Sequence, residues 1–357
     1  MSASITIEKT KASRIEQLDK NRLDFGRTFT DHMFQMHYTD GAWQEAKIIP
    51  FGPIQITPAL NVLHYGQAVF EGMKAFYVDD KTINIFRPEA HHARFNRSCR
   101  RMCIPETSYD VFIEALENLL RIDSEWMPQK KGTALYVRPF IFANEDYLAA
   151  RVSSTYAYYI IMSPVGAYYA EGFNPVSLTT SPEFVRAVPG GMGEAKTAGN
   201  YAASFLPAQQ AHAKGYTQVL WLDAREHSYI EEVGTMNIHF VIDDTLITPA
   251  LSGSVLSGIT RDSVLKLAEH WGLDVQERRI TIGEIIEAAK SGRLTEAFGS
   301  GTAAVISPVG TIAHQDEEVT IGKGAIGPLA QRFFDAITGI QYGELADPFH
   351  WTHSVHL

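Results

Sequence analysis

The chain has 357 residues, 45% of them hydrophobic and 20% charged, which suits a soluble globular protein and is long enough for two medium domains. Its 31 Lys and Arg against 41 Asp and Glu give a formal charge of −10, which argues against non-specific binding to nucleic acid or to an anionic membrane. A small anionic ligand stays open, because a local cluster of donors decides that.

The first 26 residues, MSASITIEKTKASRIEQLDKNRLDFG, hold no apolar signal core and carry Glu8, Glu16 and Asp19, so neither a secretory signal nor a transit peptide is expected. No stretch has the apolar length needed to span a bilayer, and a cytoplasmic location is expected. Residues 28–36 and 45–50 read as strands around a turn at Gly41, and residues 63–78 become strand-like toward their end. KTINIF (81–86) alternates as a half-buried strand does. Pro88 then opens a helix to about Arg101, a position where proline suits a helix start. Residues 109–126 form the clearest amphipathic helix, with Val111, Phe112, Ala115, Leu116, Leu119 and Leu120 at helical spacing. ALYVRPFIF (134–142) and YAYYIIMSPV (156–165) read as strands, and a linker is placed near 166–176.

Beyond the Gly- and Pro-rich segment 171–201, one helix is expected over about 201–214, strands at 219–223, 228–230 and 237–243, and helices at 260–272 and 283–292. GSGTAAVISPVGTI (299–312) reads as a glycine turn entering a strand. The elements alternate without a regular βαβ rhythm, which predicts two α+β domains, 1–170 and 171–357. The two cysteines, Cys99 and Cys103, lie four apart in the helix that Pro88 opens. They make neither a disulfide framework nor a zinc set; reduced, partly buried thiols are expected, and no metal.

Lys196, in GEAKTAGNYAAS, follows a flexible turn (Gly190, Gly191, Gly193) and sits among small residues, as a lysine must if a ring is to approach its amine. Glu232, at the foot of a strand, suits a carboxylate that pairs with a pyridine nitrogen; Glu231 should point the other way. Gly258 followed by Thr260 at a helix start, and the turn Gly299–Ser300–Gly301–Thr302, are both suited to phosphate. Arg94, Arg97, Arg100 and Arg101 are equal candidates for its cation. Each feature alone is generic.

Together they are not. LHYGQAVFEGMKAF, FRPEAHHARFNRS, LYVRPFIF, KTAGNYAAS, QVLWLD, EVGTMNIHFV, GITRDSVL and FGSGTAAVISPV stand in the order and spacing of branched-chain aminotransferases, and from about Phe25 to about Ile312 the chain resembles that family. The resemblance implies an α+β, two-domain fold-type IV pyridoxal-phosphate aminotransferase fold of the long form. The N-terminal domain would be the smaller, the C-terminal domain would bind the cofactor, and the cofactor would lie between the domains. It implies pyridoxal 5'-phosphate as cofactor, held by Lys196 as a Schiff base, with Tyr201 on the ring-hydroxyl side and Glu232 on the pyridine nitrogen. Arg94, Ile259, Thr260 and Thr302 would hold the phosphate, and Thr235 would border cofactor and substrate. Phe25, Tyr65, Phe70 and Tyr136 would line an apolar side-chain pocket. Arg138, with Tyr65, would take the distal carboxylate of glutamate, while Thr302 and Ala303 would meet the α-carboxylate. The implied reaction exchanges the amino group of leucine, isoleucine or valine with 2-oxoglutarate, giving the 2-oxo acid and glutamate, in a homodimer whose partner loop is 144–155. Two departures stand out: the Cys-x-x-Cys switch of some animal members is absent after the GSGTA turn, and Ala198 replaces a glycine common in the lysine motif. A D-amino-acid aminotransferase, a 4-aminobenzoate-forming lyase and a non-catalytic carrier of the same cofactor are the alternative readings; the FEGMKAF and LYVRP segments fit the first two poorly.

Overall fold

The computed structural model describes residues 5–166 and 173–357. The chain divides into two compact units, one of Met1–Tyr168, Ala195–Ala198 and Gly339–Leu357, the other of Tyr169–Glu194 and Gly199–Thr338. The boundary expected at 170/171 lies outside the described residues. Two short pieces from the second half of the chain, one of them carrying Lys196, belong to the first unit.

The first unit is built on a ten-stranded sheet: β1 (Thr6–Ile7), β2 (His32–Thr39), β3 (Ala42–Trp43), β4 (Lys47–Pro50), β5 (Ala68–Phe70), β6 (Met73–Asp79), β7 (Thr82–Phe86), β8 (Ala134–Ala143), β9 (Tyr156–Val165) and the C-terminal strand Thr352–His356. Across the sheet the order is β1-β4-β2-β9-β8-β6-β7 and then the C-terminal strand, with β3 on β2 and β5 on β8. Its helices are α1 (Asn61–Tyr65), α2 (Pro88–Arg101) and α3 (Tyr109–Ile122).

Strand alternation decides what each face of β8 does. Leu135, Val137 and Ile141 enter the core with Phe95, Phe112, Leu116 and Leu119 of α2 and α3, whereas Tyr136, Arg138 and Phe140 belong to the opposite face. Pro139 is tolerated inside this central strand because its neighbour changes there from β5 to β6; its carbonyl accepts the Glu71 N–H between them (2.8 Å).

Pro88 at the first helical position, Glu89 in the first turn and Arg100 and Arg101 in the last complement the dipole of α2. Its buried face mixes Phe95 and Cys99 with His91, Arg94 and Ser98, unlike the wholly apolar buried face of α3. The expectation that both cysteines are helical is corrected for one of them. Cys99 is buried in α2, but the helix stops at Arg101, and Cys103 turns into the left-handed region (φ 55°) and is exposed.

The second unit carries β10 (Val176–Thr180), β11 (Gln218–Leu222), β12 (Ile230–Val233), β13 (Asn237–Ile242), β14 (Thr245–Pro249), β15 (Val275–Arg278), β16 (Leu294–Gly301), β17 (Val305–His314) and β18 (Glu317–Thr320). The sheet order is β12-β11-β10-β17-β16-β13-β14-β15, with β18 on β17. Helices α4 (Ala198–Ala202), α5 (Phe205–Ala213), α6 (Ile259–His270), α7 (Ile282–Lys290) and α8 (Pro328–Gln341) complete the set. Thr281 caps α7 by accepting the Glu284 N–H (3.0 Å), and Glu296 of β16 accepts the first N–H groups of α8 from Leu329 and Ala330 (both 2.9 Å).

Two further expectations change. The single helix over 201–214 is two, because Pro207 has no N–H to continue a helix through it and is accommodated in the first turn of α5. The glycines of GSG lie inside β16 rather than in a turn; the turn is at 302–304. A Cβ at Gly299 would meet the methyl end of Met236 (2.9 Å) and Val233 Cγ1 (3.1 Å), so the Met236 side chain would have to shift. No helix among the described residues is long and apolar enough to cross a membrane.

The fully buried α3 face makes a direct test of the first core. Leu116→Ala should cost about 2–5 kcal/mol, the usual range for such a cavity, read as a shifted urea midpoint with an unchanged slope.

Candidate active site

In the first unit the backbone around Lys196 is tied down from two sides. The Phe70 N–H donates to the Lys196 carbonyl (3.0 Å), Thr197 bridges to Val69, and the Thr197 hydroxyl donates to the Ala68 carbonyl (2.6 Å), so β5 grips this segment along its length. From α2, the Ser98 hydroxyl oxygen accepts the Lys196 N–H (2.9 Å). The half-buried side chain places Nζ 4.9 Å from the Phe70 ring centroid, an aromatic face that supplies low-dielectric surface on one side of the amine.

The same ring is shared. The Arg138 guanidinium carbon lies 4.7 Å from the Phe70 centroid and 5.3 Å from that of Tyr136, and Nη2 donates to the Tyr136 hydroxyl (2.9 Å). Phe25 sets its ring edge against Tyr136 at 4.7 Å. Phe25, Tyr136, Arg138, Phe70 and Lys196 therefore form one continuous series of contacts. Within it the buried Nε of Arg138 has no hydrogen-bond partner among the described residues. A buried donor left unmade costs about 1–3 kcal/mol, so this atom calls for an acceptor such as a carboxylate. Tyr65 is placed elsewhere: it is 43% exposed, at the end of α1, and donates its hydroxyl to the Leu148 carbonyl of segment 144–155 (2.7 Å).

Arg94 is buried on α2, and its Nε and Nη2 both donate to Glu71 (2.7 and 2.9 Å), whose carboxylate also accepts from His91 Nδ1 (2.9 Å). Burial alone would raise the Glu71 carboxyl. The Arg94 charge and hydrogen bonds, with those of His91, outweigh that and hold it well below the ordinary carboxylate range. His91 is itself pushed down by burial, against the opposing pull of Glu71.

In the second unit Glu232 lies on β12 and is almost wholly buried. One carboxylate oxygen pairs with Arg186 Nε (2.5 Å); the other accepts from Asn237 Nδ2 (3.1 Å) and from the Leu256 N–H (3.2 Å). Glu231 is buried as well, accepts a very short hydrogen bond from the Ser254 hydroxyl, and has its carboxyl pushed up by burial. Arg186 Nη1 donates to the Ser254 carbonyl (2.8 Å) and so joins the two neighbouring glutamates.

Tyr201, half-buried on α4, lines a cleft with Arg186, Asn200, Ser204, Gly234 and Thr235; Thr235 is exposed on the turn between β12 and β13. Gly258 is the N-cap of α6, which puts Ile259 and Thr260, both buried, in the first turn, where N–H groups and the helix dipole favour an anion. Thr302 and Ala303 are half-buried in the turn after β16.

Taken separately, the donors are of the kinds that suit a phosphorylated pyridine aldehyde: a primary amine on an aromatic face in the first unit, and in the second a buried carboxylate, a phenol beside a cleft and a hydroxyl in the first turn of a helix. Arg186, Asn237, Glu71, His91 and Ser98 were not singled out from the sequence. Glu71 had a usable signal, a lone acid inside the apolar run AVFEGMKAF, which has to find a partner if buried. Arg186 had none, since its partner lies 46 positions away.

Three comparisons complete the description. Residues 68–312 match the family profile of amino-transferase class IV. Branched-chain-amino-acid aminotransferase 2 of Bacillus subtilis (strain 168) is 52% identical over 353 residues, covering 99% of this chain and 97% of that protein. Among solved structures, the branched-chain amino acid aminotransferase of Escherichia coli aligns with a TM-score of 0.73 at 28% identity, over 90% of this chain and 98% of that one. The T.th. branched-chain amino acid aminotransferase, complexed with N-(5'-phosphopyridoxyl)-L-glutamate, aligns at 0.70 and 28%, over 89% and 97%.

Beside the 302–304 turn, His239 is fully buried and hydrogen-bonds the Ser300 hydroxyl through Nε2 (2.9 Å). Burial, with the Arg261 charge adding to it, pushes its pKa from 6.5 down to about 3. The unfolded chain therefore binds the extra proton first, and stability should fall as pH drops from 6.5 toward 3, by up to about 1.4 kcal/mol per pH unit. Urea unfolding at pH 7 and pH 5 should show a smaller acid loss in His239→Gln than in wild type; equal losses would assign the acid sensitivity to other groups.

Proposed function

Since the chain belongs to the class IV aminotransferases, and within them to the branched-chain-amino-acid aminotransferases, we propose that it exchanges the amino group of L-leucine, L-isoleucine or L-valine reversibly with 2-oxoglutarate, using pyridoxal 5'-phosphate held on Lys196. The observation that carries this reading is the shared Phe70 ring. It has the Lys196 amine at 4.9 Å and the Arg138 guanidinium at 4.7 Å, so the reacting amine and a carboxylate-seeking cation border one aromatic surface. The T.th. relative complexed with a phosphopyridoxyl-glutamate supports the same cofactor and glutamate as one substrate.

Bound pyridoxal phosphate supplies an electron sink that makes the substrate Cα–H acidic. The chain's own residues do the rest. The Lys196 amine, fixed through its backbone by β5 and Ser98, would hold the cofactor and, when free, would be the base that takes and returns the substrate proton. Glu232, oriented by Arg186, Asn237 and the Leu256 N–H, would pair with the pyridine nitrogen. Arg94, the first turn of α6 at Ile259 and Thr260, and Thr302 would hold the phosphate. Tyr201 would serve the ring hydroxyl, and Thr235 the edge shared with substrate. The N–H groups of Thr302 and Ala303 would receive the α-carboxylate.

Substrate choice follows from the aromatic group. Phe25, Phe70 and Tyr136 give apolar surface, and one methylene is worth only about 1–3 kcal/mol there, so leucine, isoleucine and valine are all accepted. A buried distal carboxylate needs a partner, and Arg138 Nε is a buried donor without one. The chain acts as a cytoplasmic homodimer on this reading. Segment 144–155, which exposes Tyr147, Leu148 and Val152 (43%, 64% and 52%) and holds Tyr65, is the contact offered to the partner.

The visible spectrum of the purified protein should show a cofactor band that bleaches with L-leucine and not with D-alanine. Bleaching by D-alanine alone would move the chain to the D-specific relatives, and no band after incubation with pyridoxal phosphate would remove Lys196 from its role. Lys196→Ala should abolish turnover with the fold kept. Arg138→Met should lower kcat/KM for glutamate more than for leucine, by about tenfold if one charged hydrogen bond is lost; equal losses would refute the shared pocket.

A further inference from the structure

Glu71 has no side-chain exposure, yet it is not among the groups assigned to cofactor or substrate. Four donors converge on it: Arg94 Nε (2.7 Å) and Nη2 (2.9 Å), His91 Nδ1 (2.9 Å), and the Gly72 N–H (3.2 Å). The two Arg94 bonds form a fork, the geometry that fixes the plane of a guanidinium as well as its position.

The fork belongs to a closed circuit. One helical turn after Arg94, about 6 Å along α2, the Ser98 hydroxyl donates to the Arg94 carbonyl (3.1 Å) while its oxygen accepts the Lys196 N–H (2.9 Å). The Lys196 carbonyl accepts the N–H of Phe70, the residue bonded to Glu71. Every side chain in the circuit that touches α2 is buried: His91 2%, Arg94 4%, Ser98 0% exposed. A rigid helix thus carries the cation and the lysine clamp, and Glu71 locks the cation's end to the strand that holds the lysine's other side.

We propose that Glu71 is a positioning residue for cofactor phosphate recognition: it orients the Arg94 guanidinium and, through the α2 circuit, holds that cation at a fixed separation from the Lys196 amine. The proposal rests on reading Arg94 as the phosphate cation.

The test uses the full-length apo-protein and two probes, pyridoxal phosphate and pyridoxal, which carries the aldehyde without the phosphate. The Kd of pyridoxal divided by that of pyridoxal phosphate, read by equilibrium absorbance titration, isolates the phosphate contribution from Lys196 chemistry and from general loss of fold. Glu71→Gln should lower the ratio about tenfold or more, as loss of a charge-assisted fork implies, and should lower it no further when combined with Arg94→Met. An Arg94→Met protein with an unchanged ratio would overturn the phosphate reading itself. A ratio that falls in Arg94→Met but stays intact in Glu71→Gln would overturn the positioning role alone, as would losses that simply add in the double variant. Should Glu71→Gln fail to fold, as judged by its melting transition, Glu71→Asp keeps the charge but withdraws it by one methylene. It should lower the same ratio, and an intact ratio there would overturn the proposal.

Discussion

A carboxylate or guanidinium taken out of water costs several kcal/mol unless the protein supplies a partner in good geometry. Among the described residues, each unit holds one carboxylate–guanidinium pair buried on both sides: Glu71 with Arg94, and Glu232 with Arg186. Much of the local structure follows from keeping these pairs satisfied. Residue 72 has to be glycine because the Tyr136 phenol occupies the space its Cβ would take, which lets the chain bend between β5 and β6 with Glu71 aimed at α2. Pro139 can sit in a central strand because the same bend sends the Glu71 N–H to its carbonyl. In the second unit Asn237 uses its amide for both the Glu232 carboxylate and the Leu256 carbonyl, fixing the segment that leads into α6.

How much of this could be read from sequence depended on how local the cause was. Pro88 and the 3.6-residue pattern read over 109–126 are local, and α2 and α3 begin where those signals stand, although α3 ends at Ile122. The alternation of 82–86 likewise marks β7. The strand β10 alternates too, Val176, Leu178 and Thr180 being buried, but it lies inside a segment whose prolines and glycines suggested a linker. The C-terminal strand pairs Thr352–His356 with Thr82–Phe86, a register set some 270 residues apart and carried mostly by backbone, so its mixed polar sequence gave no periodic signal.

The site divides the same way. Lys196, Glu232 and the α6 start stand out once their surroundings are considered, because a lysine among small residues or a carboxylate in an apolar strand violates the usual partition of side chains. The residues that hold them in place do not stand out. Ser98 is one serine in a basic helix, and nothing near it points to a bond with Lys196, 98 positions later. Arg186 looks like an ordinary surface arginine until the fold places Glu232 beside it. Residues that do chemistry leave local traces, whereas residues that orient them depend on tertiary structure.

On the proposed reading, one pocket takes both an aliphatic and an acidic side chain, and the arginine in it sets the physical problem. An arginine lining an apolar site would normally penalise leucine, which offers it nothing. Here both Phe70 and Tyr136 lie within 5.3 Å of the guanidinium of Arg138, and the Tyr136 hydroxyl accepts from Nη2. Cation–π contact of this kind is worth about 0.5–2 kcal/mol, enough to offset part of the desolvation that leucine imposes. Its buried Nε–H has no hydrogen-bond partner among the described residues. On the proposed reading, leucine leaves that N–H as it already stands in the protein, and glutamate improves on it. Tolerance of both substrates then comes from an arginine that the aromatic residues have already made compatible with an apolar neighbour, without a conformational switch between two pockets.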